Sequence, residues 1–189
     1  MYLHGVVGTV MVIAGALGAI EAISRAESER PRLSSPIATG FGGLVVVAYV
    51  LANHFRHSVF PREAFDLAHW LIATALVGSA ALVGLGRLAR QPLHLTELAA
   101  PFSSLILSAV FLVHGERTGV EFSLHVAVAA TLVVSAVAHL SVILTGDGSR
   151  SLRTFAALLL AVGGLLLILY DTQVSPKQGA SSGTRTEHE

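Results

Sequence analysis

Apolar residues along this chain gather into six nearly unbroken blocks, not into the two-residue alternation of a half-buried strand or the one-sided stripe of a water-facing helix. The blocks run from about Tyr2 to Ile23, Ile37 to Phe60, Phe65 to Leu88, Leu98 to His114, Phe122 to Thr145 and Phe155 to Tyr170. The pattern predicts six helices crossing a hydrocarbon layer about 30 Å thick. Between the first two lies a polar stretch, residues 24–36, carrying Pro31 and Pro36, which reads as a solvated loop. The other connections are short, so neighbouring helices are antiparallel. Residues 174–189 are rich in Ser, Gly, Thr and charge without apolar periodicity and are expected to be a disordered tail. The expected fold is all-α: residues 1–173 form one integral membrane bundle of six transmembrane helices with short loops. The first block opens Met1-Tyr-Leu-His with no basic segment before it and is too long for a signal-peptide core, so it is expected to be a retained span.

Composition agrees with this pattern and narrows the chemistry. Hydrophobic residues make up 53% of the chain and charged ones 13%, with a mean hydropathy of +0.70, outside the range of a water-soluble domain. Lys plus Arg and Asp plus Glu number 12 each, which leaves no net charge and no basic patch to recruit a nucleic acid. Cysteine is absent, which excludes disulfides, thiolate metal sites and the thioether bonds of a c-type haem. Any metal or haem is therefore held by nitrogen and oxygen. Arg25, Arg30, Arg32, Arg87, Arg90, Arg150 and Arg153 lie in the connections on one side, against Arg56, Arg62 and Arg117 on the other with Lys177 and Arg185 in the tail. The positive-inside rule places the seven arginines in the cytoplasm and both termini outside the cell membrane. Small residues recur along the blocks, for example Gly15 with Gly18 and Gly163 with Gly164, as close helix packing demands.

Ionisable side chains are costly inside a bilayer, so histidines in spans are where function is sought. Nine are present; His188 is in the tail and His94 in a connection, while His139 lies within the fifth span. The other six share one end. His4 opens the first span, His54 and His57 close the second, His69 opens the third, His114 closes the fourth and His125 opens the fifth. In an up-and-down bundle all six meet at the extracytoplasmic end, with Glu63, Asp66, Glu116 and Glu121 beside them. His54 with His57 and Asp66 with His69 are three apart, and Glu121 with His125 four apart, so each pair shares a helix face. Placing His69 over His125 also matches Ala73 with Ala129, Leu76 with Leu132, Val77 with Val133 and Ser79 with Ser135, and His4 opens the first span likewise. This echo predicts hairpin repeats.

His125 and His139 are 14 residues apart, which returns to within about 40° of one helix face and separates them by roughly 21 Å along the axis. That spacing, the short-loop bundle and the histidines on neighbouring helices, covering roughly residues 37–145, resemble the membrane b-type cytochromes. The resemblance implies haem b held between histidines on facing helices, and electron transfer to or from quinone or a redox partner protein. The outer haem would draw its ligands from His54, His69, His114 and His125. The chain departs from the pattern in that no second helix carries a matching histidine pair. His139 could find an axial partner only in His94 or in a non-histidine ligand, which puts a second haem in doubt. The alternative is a non-haem site for copper, iron or zinc built from His54, His57, Asp66, His69, Glu121 and His125, since Asp66-x-x-His69 is a variant of the unit that dinuclear carboxylate centres use. A third reading is a structural subunit of a membrane complex with unliganded histidines. No catalytic residue is assigned, and the expected partners are the bilayer and a redox partner.

Overall fold

A computed structural model of the protein describes residues 3–24, 33–56, 63–89, 94–113, 119–145 and 150–181. Among these residues every regular element is an α-helix: α1 (Leu3–Ile23), α2 (Ser34–Arg56), α3 (Glu63–Leu88), a single turn α4 (His94–Glu97), α5 (Ala99–Val113), α6 (Gly119–Thr145) and α7 (Arg150–Ser181). Five of them, α1, α2, α3, α6 and α7, contain stretches long and apolar enough to cross a membrane, the signature of a multi-pass membrane protein. The fourth block forms α5, whose 15 residues rise only about 22 Å, preceded by the turn of α4. Pro36 and Pro101 each sit in the first turn of their helix, where no backbone amide is required.

Helix α7 continues past Tyr170 to Ser181 and takes in residues 174–181, where the sequence predicts a disordered tail. Residues 182–189 lie outside the described ones.

The helices close into a ring in the order α1, α2, α3, α5, α6, α7 and back to α1. Their outward faces are apolar, with Leu144, Val113 and Ile37 all more than 60% exposed, which suits hydrocarbon as the surrounding solvent. The seam between α1 and α7 is the closest in the molecule. A Cβ added at Gly8 would lie 2.5 Å from the Gly164 carbonyl oxygen, and one at Gly15 would lie 2.6 Å from that of Ala157. Only glycine lets two backbones approach this far.

The echo between the third and fifth spans extends to burial and to a third copy. His69, Ile72, Ala73, Leu76 and Ser79 on α3 correspond to His125, Val128, Ala129, Leu132 and Ser135 on α6, and all ten are buried. On α1 the same register gives His4, Val7, Gly8, Met11 and Ala14, all buried except the half-buried His4. The same offsets relate Gly42, Gly43 and Val46 on α2 to Leu107, Ser108 and Phe111 on α5 and to Gly163, Gly164 and Leu167 on α7, again all buried. The ring is thus three helix hairpins arranged with approximate threefold symmetry, α1, α3 and α6 alternating with α2, α5 and α7. Val46, Leu107, Val128, Leu132 and Leu167 pack into one continuous core.

Candidate functional site

The threefold register brings histidines to one level at one end of the ring. His69 and His125 are 3% and 2% exposed, the most buried of the histidines whose side chains are described. Around His125 stand three rings: Phe111 stacked at 5.8 Å, Tyr170 tilted at 5.2 Å and His4 tilted at 5.7 Å between centroids. His4 in turn meets Tyr170 edge-on at 4.6 Å. His69 lies against Tyr49 at 6.1 Å. Tyr49, His114 and Tyr170 occupy equivalent positions in the three hairpins. Tyr49 meets His69 of the next hairpin and Tyr170 meets His4 of the next. His114 and His57 lie outside the described residues. His54, Asp66 and Glu121 fall on α2, α3 and α6 at this end, but their side chains lie outside the described ones. Among the described residues no group of three or more His, Asp or Glu stands close enough to hold a metal ion.

The opposite end carries an ionic network that the sequence reading did not single out. Arg87, at the end of α3, donates from Nη1 to Glu21 Oε2 at 3.2 Å and from Nε to Glu97 Oε1 at 3.1 Å. Glu21 Oε1 also accepts from the Ser35 amide at 3.0 Å and from the Ser34 hydroxyl, which ties α1 to the start of α2. Glu97 Oε2 lies 3.7 Å from His139 Nε2. His139, expected to look for an axial partner, therefore faces a carboxylate. Burial of Glu97 alone would raise its pKa, but the contact with His139 and the charge and hydrogen bond of Arg87 outweigh it and hold the carboxyl well below its ordinary range, at about 2. A signal for this network was present in the sequence: Glu21 is the only charged residue of the first apolar block. Arg87 and Glu97 gave no such signal, because in sequence they belong to connections.

Above this network the ring is hollow. A cavity of ≈ 680 Å³ lies between the helices, with Glu21, Arg87, Glu97, His139 and Arg153 among the residues at its charged end and Val7, Met11, Leu76 and Leu107 at its apolar end. No known protein family, no curated protein and no solved structure matches this chain.

Proposed function

We propose that this is a six-span cell-membrane protein, with both termini on the extracytoplasmic side, that holds a transition-metal ion at its histidine end. The observation that carries the reading is the threefold placement of His4, His69 and His125 at one level of three alternating helices, two of them almost fully buried. An ionisable side chain inside a membrane span is a functional candidate by default. His4 and His125 bring two imidazoles to 5.7 Å, and zinc, copper or iron would need further nitrogen or oxygen donors beside them. Carboxylates on the same faces, Asp66 beside His69 and Glu121 beside His125, would complete or orient the site, with His54, His57 and His114 as further donors from neighbouring spans.

A second reading is haem b serving electron transfer with quinone or a redox protein. It is favoured by His4 and His125, whose rings come from helices separated by α7 and stand 5.7 Å apart. The chemistry of these donors fits haem iron, which would supply one-electron transfer. The packing fits less well: Phe111 and Tyr170 would have to move from His125 to admit a macrocycle, whereas a single ion needs no such opening.

The test is metal analysis of the purified full chain with absorption spectra before and after dithionite. A stoichiometric metal without haem bands, lost in His69→Ala and His125→Ala, supports the ion. Sharp reduced haem bands move the assignment to haem, and neither metal nor haem in protein from metal-replete cells sinks both. Cysteines placed at Ser58 should react with an impermeant thiol reagent in intact cells, and those at Ser28 and Ser149 should not; the reverse pattern inverts the topology.

A further inference from the structure

The cavity at the other end of the ring is a second site, and its lining specifies a different kind of ligand. Six hydroxyls stand on its walls: Ser35, Thr39, Ser79, Ser103, Ser104 and Ser135. Each donates its proton to a backbone carbonyl. Thr39 donates to Ser35 at 3.0 Å, Ser79 to Leu76 at 3.2 Å, and Ser103 and Ser104 to Ala100 at 2.9 and 3.2 Å. Ser135 donates across the helix boundary to Ala156 at 2.7 Å, and Ser35 to Ala14 at 3.4 Å. What the walls present to the interior is therefore oxygen lone pairs, acceptors without matching donors. The charges at the mouth compensate one another, since Glu21 and Glu97 share the cavity end with Arg87 and Arg153, and Arg87 bridges both carboxylates. An ion entering would break this balance in a medium where unpaired charge is costly. The closed end, at Met11, Leu76 and Leu107, is apolar.

We propose that this cavity binds a neutral amphiphile that brings its own hydrogen-bond donor, an alcohol or phenol with an apolar tail. The tail lies against Met11, Leu76 and Leu107, and the donor reaches the hydroxyl belt. The volume, ≈ 680 Å³, is in the range of pockets that enclose a small organic molecule. The site involves no histidine of the other end and stands whether or not that end holds a metal.

The test uses the purified full chain in detergent with two probes, 4-octylphenol and its methyl ether 4-octylanisole, which differ in one donor. The phenol should bind saturably with one molecule per chain, and the ether about tenfold more weakly, the worth of one buried hydrogen bond. Thr39→Val with Ser103→Ala should weaken the phenol several-fold and leave the ether unchanged. Ser104→Leu, which fills the cavity, should abolish saturable binding of both, with its thermal transition read in parallel to show that it folds. His125→Phe should bind the phenol as the native chain does. Equal binding of phenol and ether, or native-like binding by folded Ser104→Leu, overturns the proposal; should Ser104→Leu not fold, the Thr39→Val/Ser103→Ala pair decides alone.

Discussion

The two ends of the ring place their polar groups in opposite physical situations. At the histidine end, the rings of His4 and Tyr170 lie edge to face, and His69 and His125 are buried beside Tyr49, Phe111 and Tyr170. At the charged end, Arg87 bridges the carboxylates of Glu21 and Glu97, with the His139 ring beside Glu97, around open space. A macrocycle at the first end would have to displace packed rings, whereas a small ion would not. At the second a newcomer displaces no side chain, yet must leave a compensated charge network intact. Burial of a polar group is thus a poor guide to function until it is known which groups already face it.

Removing Arg87 should expose this difference most. Arg87→Ala removes the guanidinium that bridges Glu21 and Glu97 and should cost about 2–3 kcal/mol, below the range for a fully buried pair because the guanidinium keeps 21% of its exposure. Thermal unfolding in detergent reads this; a loss near zero would mean that water, not Arg87, compensates the carboxylates. Gly164→Val tests the seam that both ends share. Its Cβ would run into the Gly8 carbonyl oxygen, and overpacking at such a contact costs about 1–3 kcal/mol. It should lower the unfolding midpoint while leaving the metal content of folded protein unchanged.

His125→Phe should separate ligation from packing. A ring of similar size in an aromatic surround should change stability by less than about 1.5 kcal/mol while removing the bound metal. Large destabilisation with full metal content would make His125 a packing residue only. The smallest effect concerns pH. Glu97 is held at about 2 against an ordinary 4.5, so its contribution to stability is complete above pH 4.5 and is lost as pH falls toward 2. Acidification from pH 4.5 to 3.5 should remove about 1 kcal/mol, and Glu97→Gln should abolish that part of the slope.

The helices were legible because hydropathy is a local property: α1, α3, α5 and α6 start and end within about three residues of the apolar blocks at Tyr2, Phe65, Leu98 and Phe122. The prominence of His69 and His125 was legible for a related reason, since each lies about a turn or more inside an apolar helix. The echo between α3 and α6 was visible in four matched residues, but on α1 only His4 showed it, because Gly8 and Ala14 match Ala73 and Ser79 in burial and not in identity. The ion network was the hardest to read. Glu21, Arg87, Glu97 and His139 are brought together from four helices by ring closure, and no spacing along the chain encodes that.

The seam between the first and last helices also sets a timetable for making the protein. Gly164 follows Gly8 by 156 positions, so at ribosomal rates of about 5–20 residues per second α1 waits roughly 8 to 30 s for its closest neighbour. During that interval the face of α1 carrying Gly8, Met11 and Gly15 is turned to lipid, with Glu21 near its end, while the remaining hairpins are threaded into the membrane. Closure is a contact of high sequence separation and can only come last. A chain stalled before α7 is an open crescent, with one glycine-lined edge able to accept the corresponding helix of another molecule, so truncation at this point favours association between chains over a stable monomer.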